Sequence, residues 1–142
     1  MSKTIKTKLL SMILPCCFFS VQITAHHAFT AEFDPNAPVE LEGIVTRVEF
    51  INPHAWIHID VTDEDGAVTA WMIEGGTPNT LLRRGLTPAS LPIGSQVVVQ
   101  GYQSRDHACN PSCKANGRDV TFPDGRQVFM GSVGIGAPPP TQ

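Results

Sequence analysis

The sequence lacks the short motifs that mark common catalytic sites. It contains no Gly-x-Ser-x-Gly nucleophile elbow, no P-loop, no His-Glu-x-x-His zinc motif and no Cys-x-x-Cys-His haem-attachment motif. Carboxylates do occur in pairs, but those of "DEDG" (63–66) are typical of a hairpin turn, and Glu40 and Glu42 flank a strand pattern. We therefore predict that the protein is not an enzyme.

Long apolar runs are also scarce. The charge-free run "LLSMILPCCFFSVQI" (9–23) is too short for a comfortable membrane span, and it follows three lysines and no acid in residues 1–8. This pattern predicts a signal peptide over residues 1–25, cleaved after Ala25. Pro15 before Cys16 is not the small residue that lipoprotein processing requires. We expect a soluble periplasmic protein with no membrane span after signal removal.

Basic residues become fewer still once the signal is removed. Seven Lys and Arg and all 13 Asp and Glu remain, which gives a formal net charge of −6 over 117 residues. A chain of that length buries a core without needing a metal or a disulfide. Its acidic balance argues against nucleic acid. We therefore expect no nucleic-acid partner, which leaves a metal ion, a small ligand or a periplasmic protein partner.

The two-residue period of β-strands dominates the rest of the chain. Thr77, Pro78 and Gly85 mark the cap, first turn and end of one short helix. Three strands, a helix and further strands is the order of the OB-fold, so we predict a mainly β protein. It is a small OB-like antiparallel β-barrel with one short helix between strands 3 and 4; a different, partly open barrel is the main alternative. The predicted segments are a lead-in (26–37), the barrel domain (38–130) and a disordered Gly- and Pro-rich tail (131–142). Within the barrel domain, strands are predicted over 39–50, 54–61, 67–74 and 95–103, with a closing hairpin at 118–130.

The first predicted strand has a break in its alternation. In "VELEGIVTRVEF" (39–50), Val39 and Leu41 share one face, and we expect a glycine bulge at Gly43 to reset the parity. Ile44, Val48 and Phe50 are then predicted to point inward.

The second strand, "HAWIHIDV" (54–61), carries an unusual row of side chains. His54, Trp56 and His58 alternate with apolar residues, so they are expected on the outer face, where Trp56 offers a ligand-binding surface. Side chains four residues apart on a regular strand are about 13 Å apart, so His54 and His58 are not expected to hold one metal together. Each needs a ligand from elsewhere in the chain.

The predicted mature N-terminus supplies such a ligand. The α-amine and Nδ1 of His26 close a six-membered chelate ring, and a second imidazole completes three nitrogens, which suits Cu(II). This resembles the histidine brace of copper monooxygenases and of some periplasmic copper carriers, only in the position of His26. The candidate metal ligands are His26, His27, His54 and His58, and copper is the candidate cofactor. The alternative is a solvated terminus, with Trp56 packing under Phe29 or Phe33.

Cys109 and Cys113 are the cysteines that remain after signal removal. In an oxidising compartment they are expected to form a disulfide, worth about 2 kcal/mol in the chain-entropy model. The alternative is a metal cluster with His107.

Four segments together resemble a known family. "AHHAFTAEFD", "NPHAWIHIDV", "IEGGTPNTLLRRG" and "DVTFPDGR" are similar to segments of small exported bacterial proteins with a domain of unknown function. The resemblance covers roughly residues 25–130, and "HACNPSC" departs from the usual pattern. It implies export but no reaction. Two functions follow as predictions: an exported barrel that binds copper through its mature N-terminal histidine, or a non-metal periplasmic module that binds a small ligand or a protein.

Overall fold

The computed structural model describes residues 28–131. The predicted signal peptide, His26, His27 and residues 132–142 of the predicted tail lie outside the described residues. Within them, a short helix precedes six strands, and a second helix separates β3 from β4. The elements are α1 (Ala28–Glu32), β1 (Phe33–Ile51), β2 (His54–Thr62), β3 (Val68–Glu74), α2 (Pro78–Arg83), β4 (Gln96–Ser104), β5 (Cys113–Thr121) and β6 (Gln127–Phe129), with one 3-10 turn at Pro88–Ser90.

The strands form one sheet that closes on itself. Their order is β3-β2-β1-β4-β5-β6, and neighbours in this order are antiparallel. β3 also pairs with β5, in parallel, over Trp71–Glu74 and Cys113–Asn116. This pairing closes the first five strands into a barrel and covers edges that an open sheet would expose. The predicted mainly β, OB-like barrel with a short helix between the third and fourth strands is confirmed.

Aliphatic side chains fill the barrel. Ala55, Ile57 and Ile59 of β2 are completely buried, as the alternation predicts. They belong to a single hydrophobic cluster that the two helical segments between β3 and β4 help to cover. Its buried members are Leu41, Val45, Ala55, Ile57, Ile59, Ile73, Leu81, Leu86, Leu91, Val97, Val99, Ala115, Val120, Phe122, Val128 and Met130.

β1 begins earlier than predicted and changes face at a different residue. It starts at Phe33, inside the expected lead-in, because that ring is buried with Phe29 and Tyr102 in a second cluster. The register with β2 shifts only between Val45 and Arg47. The parity reset predicted at Gly43 is therefore wrong, since Leu41 and Val45 are buried on either side of it.

Two details of β1 follow from this shift. Ile44, predicted to point inward, is 42% exposed. Gly43 is required instead where β1 passes from β4 to β2, because a Cβ there would lie 2.8 Å from the backbone oxygen of Asp60. Position 43 is therefore glycine because of this close backbone contact. The bulge itself follows, between Val45 and Arg47.

The helix after β3 begins where the sequence predicts. The backbone N–H of Thr80 donates to Thr77 Oγ1 at 3.3 Å, and Pro78 occupies the first turn. Gly85, which follows the helix, has a φ of +81°, a conformation that suits glycine. In the part of the chain from 28 to 131, no helix is long and apolar enough to cross a membrane.

Candidate functional site

The outer face of β2 carries the predicted row of His54, Trp56 and His58. Each of the three is half-buried, because neighbouring strands bring polar side chains over them. Trp56 pairs in register with Glu49 of β1 and with Glu74 of β3. This group of side chains, here called the β2 outer face, is the candidate functional site.

His54 is held at one ring nitrogen by a hydrogen bond to a backbone carbonyl and by an ion-pair contact with a carboxylate. Its Nδ1 lies 3.3 Å from the carbonyl oxygen of Gly75 and 3.4 Å from Oε1 of Glu74. Because a carbonyl accepts and never donates, Nδ1 carries the hydrogen in this arrangement. The lone pair of the neutral ring is then on Nε2, which makes no hydrogen bond among the residues described. The side chain is 35% exposed, so part of the ring is open to solvent.

Glu74 lies beneath this histidine at the end of β3. It is 9% exposed, and burial raises its pKa above the ordinary value. The charge of His54 opposes that rise, and the nearby carboxylate of Glu32 adds to it. Glu74 therefore gains from a positive charge on its neighbours, whether from a proton or from a metal ion bound to His54.

His58 is engaged differently. Its Nε2 lies 2.9 Å from Oε2 of Glu49, and Nη2 of Arg47 lies 3.1 Å from the same carboxylate oxygen. The hydrogen bond from His58 is the largest cause of the lowered pKa of Glu49, and Arg47 adds to it. The side chain of His58 is only 14% exposed. His54 and His58, which the strand pattern alone could not tell apart, thus have different surroundings in the structure.

Trp56 is covered by Lys114 of β5. The Nζ atom of Lys114 lies 5.1 Å from the centroid of the indole ring and 5.7 Å from that of Phe33, within cation–π range. Lys114 also forms an ion pair with Glu32 at the end of α1. One ammonium group therefore links α1, β5 and the β2 outer face.

The segment that follows His26 and His27 is fixed to the barrel. Phe29 packs against Phe33 and edge-on against Tyr102, with ring centroids 5.7 and 5.8 Å apart. The Nε of Arg105 donates to the carbonyl of Thr30 at 2.6 Å. His26 and His27 themselves lie outside the described residues, so the predicted N-terminal ligands stay a prediction.

Cys109 and Cys113 form a disulfide that closes the loop before β5. Both sulfurs are therefore engaged with each other, and His107 beside them is exposed. Nowhere in residues 28–131 do three or more His, Cys, Asp or Glu side chains cluster in a way that could hold a metal ion. His54 and His58 are not brought together, so a complete metal site requires ligands from outside this range.

Sequence reasoning missed Glu74 and Lys114, for different reasons. Glu74 had a usable signal: a hairpin turn at 63–66 fixes the register that places Glu74 opposite Trp56. Lys114 had none, because the parallel pairing of β3 with β5 joins distant segments and follows no local pattern.

Two solved structures are similar to this chain in fold, at low sequence identity. The mitochondrial single-stranded DNA-binding protein Rim1 of S. cerevisiae is 9% identical with a TM-score of 0.46, over 68% of this chain and 96% of that chain. The N-terminal domain of the PriB protein of Thermoanaerobacter tencongensis, solved as a dimer, is 20% identical with a TM-score of 0.40, over 61% and 96%. A search of curated proteins found no match.

The prediction that excluded nucleic acid as a partner is wrong as an inference from net charge. It rests on net charge alone, whereas one neighbour is by name a single-stranded DNA-binding protein. Net charge is summed over the whole molecule, while binding depends on the charge of one face. The acidic balance therefore excludes no class of partner.

One family model matches most of the sequence. It is described as a family of unknown function, DUF6152, and it matches residues 16–111. The matched range includes His26, His27 and the strands β1 to β4, so it contains both candidate histidine pairs. The resemblance noted from the sequence motifs is confirmed, and the chain belongs to the DUF6152 family.

Proposed function

We propose that the protein is an exported small β-barrel protein that binds copper through His26 and His54. The observation that carries the proposal is the orientation of His54. Metal-binding histidines usually donate their second ring N–H to a carboxylate or a backbone carbonyl, which fixes the ring and directs the other nitrogen at the metal. His54 donates from Nδ1 to the carbonyl of Gly75, and the carboxylate of Glu74 lies 3.4 Å from the same nitrogen.

The mature N-terminus is proposed to supply the remaining nitrogens. An α-amine with a pKa near 8 and an imidazole with a pKa near 6.5 both donate to a metal around neutral pH. Together with Nε2 of His54 they give three nitrogen ligands, a set that suits Cu(II). His27 is a further predicted ligand. The anchoring of α1 by Phe29 and Arg105 supports this proposal, because the chain after His27 is attached to the barrel surface.

The arrangement of His58 makes it the natural control. Its Nε2 is committed to Glu49, and its side chain is less than half as exposed as that of His54. A metal bound to His58 through that nitrogen would have to break the hydrogen bond to Glu49. Substitution of His58 should therefore leave copper affinity within about twofold of the parent.

The test is a calorimetric titration of Cu(II) into an untagged chain beginning at His26. One extra N-terminal residue converts the amine into an amide, and we expect it to weaken binding at least tenfold.

His54→Ala should weaken binding by about 10- to 100-fold, as loss of a ligand or its support does. Binding should also fail below about pH 5, where protons compete for the nitrogens. Equal affinities for the native and extended chains would refute the proposal.

The alternative is a non-metal periplasmic module that binds a small ligand or a protein through Trp56. The cation–π contact argues against a simple stacking site, since Lys114 covers the ring and a ligand would first displace it. The absence of copper binding by the native chain and by its variants alike would favour this alternative.

A further inference from the structure

We propose that a groove beside Arg118 binds a small organic carboxylate. The groove lies on the outer face of β1, β4 and β5 and has a volume of about 350 Å³, within the range of small-molecule sites. Pro38, Tyr102, Gln100 and Arg118 are among the residues that line it. It shares no residue with the β2 outer face, so this proposal is independent of copper binding.

A β-bulge directs Arg118 to this groove. Gly101 pairs with Gly117, and Gln100 pairs with Asp119, so Arg118 is an extra residue with no partner on β4. Bulges of this kind re-aim one side chain and often lie beside binding sites. The carbonyl of Arg118 accepts hydrogen bonds from the N–H groups of Met130 and Gly131, at 2.8 and 3.2 Å. The backbone at the bulge is therefore held in place from the β6 side.

One donor of the Arg118 guanidinium group, the N–H at Nε, lacks an acceptor among the described residues. The side chain of Arg118 is only 15% exposed, and its buried Nε makes no hydrogen bond within residues 28–131. Oδ2 of Asp119 lies 3.3 Å from Nε, but it is not aligned to accept a hydrogen bond. Burial raises the pKa of Asp119, and the charge of Arg118 only partly opposes this rise. Buried donors in proteins are normally satisfied, so this N–H calls for an acceptor.

The surroundings of Arg118 select the class of ligand. A guanidinium group donates two parallel N–H bonds to a carboxylate, a geometry that a lysine cannot match. Pro38 and Tyr102 offer apolar contact for the body of such a ligand. Glu40 also lines the groove, where it accepts a hydrogen bond from Gln100 at 2.8 Å and adds a negative charge. Negative charge near Arg118 opposes a doubly charged phosphate more strongly than a monoanion.

The experiment is a titration of ¹⁵N-labelled protein with benzoate, followed by NMR. We expect saturable shifts of the Nε–Hε signal of Arg118 and of the backbone amides of Gln100 and Tyr102. Benzamide, which has the same ring without the charge, should give no saturable shift, and inorganic phosphate should bind at least tenfold more weakly. Arg118→Gln should weaken benzoate binding at least tenfold, while Glu40→Gln should strengthen it a few fold.

Arg126→Gln is the matched control, because it removes the same charge from the exposed turn between β5 and β6. It should leave the benzoate affinity unchanged. If Arg118→Gln does not give a dispersed spectrum, Arg118→Lys keeps the charge and the aliphatic stem and should still lose the affinity. Absence of a saturable shift with benzoate, equal shifts with benzamide, or an equal loss in Arg126→Gln would overturn the proposal.

Discussion

A carboxyl group and an imidazole lie side by side under the outer surface of the barrel. Glu74 is nearly buried, and Nδ1 of His54 lies 3.4 Å from its Oε1. A buried carboxylate is costly unless hydrogen bonds or positive charge surround it. The burial of Glu74 therefore carries a desolvation cost, which protonation of the carboxylate relieves and which a cation at His54 would relieve as well.

The raised pKa of Glu74 makes stability depend on pH in a defined direction. Below the ordinary value of 4.5, the carboxyl is protonated in both the folded and unfolded states. As pH rises from 4.5 through the raised pKa, the unfolded state loses the proton first, so stability falls across that window. Glu74→Gln should remove this loss and make the variant more stable than the parent above the window. Urea midpoints measured from pH 4 to pH 8 check this, and parallel curves would contradict it.

At the scale of the element, β1 shows where alternation stops being informative. The bulge between Val45 and Arg47 reverses the faces of the residues after it, and nothing in the local pattern distinguishes it from a bulge at Gly43. Val45 is completely buried, whereas its neighbour Ile44 is 42% exposed. These two adjacent residues give a direct test of the register.

Val45→Ala should reduce the free energy of unfolding by about 2 kcal/mol, since it removes two methyl groups from the core. Ile44→Ala removes a larger apolar group from an exposed position and should cost no more than about 0.5 kcal/mol. Chemical denaturation of both variants checks the pair. A larger loss of unfolding free energy in Ile44→Ala than in Val45→Ala would contradict this register and show that Ile44 points inward, as the sequence alone predicts.

The strands that alternate cleanly were predictable, and the rest required tertiary information. β2 was located almost to the residue because its buried face is aliphatic throughout. The first half of β5, with buried Asn116 and Gly117, shows no such alternation. Position 117 is glycine because Ile73 and Met130 leave little space for a Cβ, and no local sequence pattern contains this packing.

In the candidate site, too, the local features were predictable and those that depend on strand pairing were not. His54 and Trp56 were identified from their position on a strand, which is a local property. The difference between His54 and His58 comes from Glu49 and Glu74 on the flanking strands, and therefore from pairing. Arg118 was missed because a bulge, rather than its place in an alternating strand, determines where it points.

For the whole molecule, export is the proposal on which the N-terminal copper site depends. Protein recovered from the periplasmic fraction of its host should have the intact mass of a chain that begins at His26. The reason is that Ala25 provides the small residue that signal cleavage requires. A mass that corresponds to a start at Cys16 or Cys17 with added lipid would contradict both the soluble form and the amine ligand.

The parallel pairing that closes the barrel also governs how the chain folds. It joins Trp71–Glu74 to Cys113–Asn116, about forty residues later in the sequence. Such non-local contacts form only after a large loss of chain entropy, so folding is expected on the millisecond-to-second scale of other small barrels. A nascent chain that ends before Cys113 leaves edges of β3 and β4 unpaired, and open edges invite association between chains. The two strands from Cys113 onward thus protect the strands before them from aggregation.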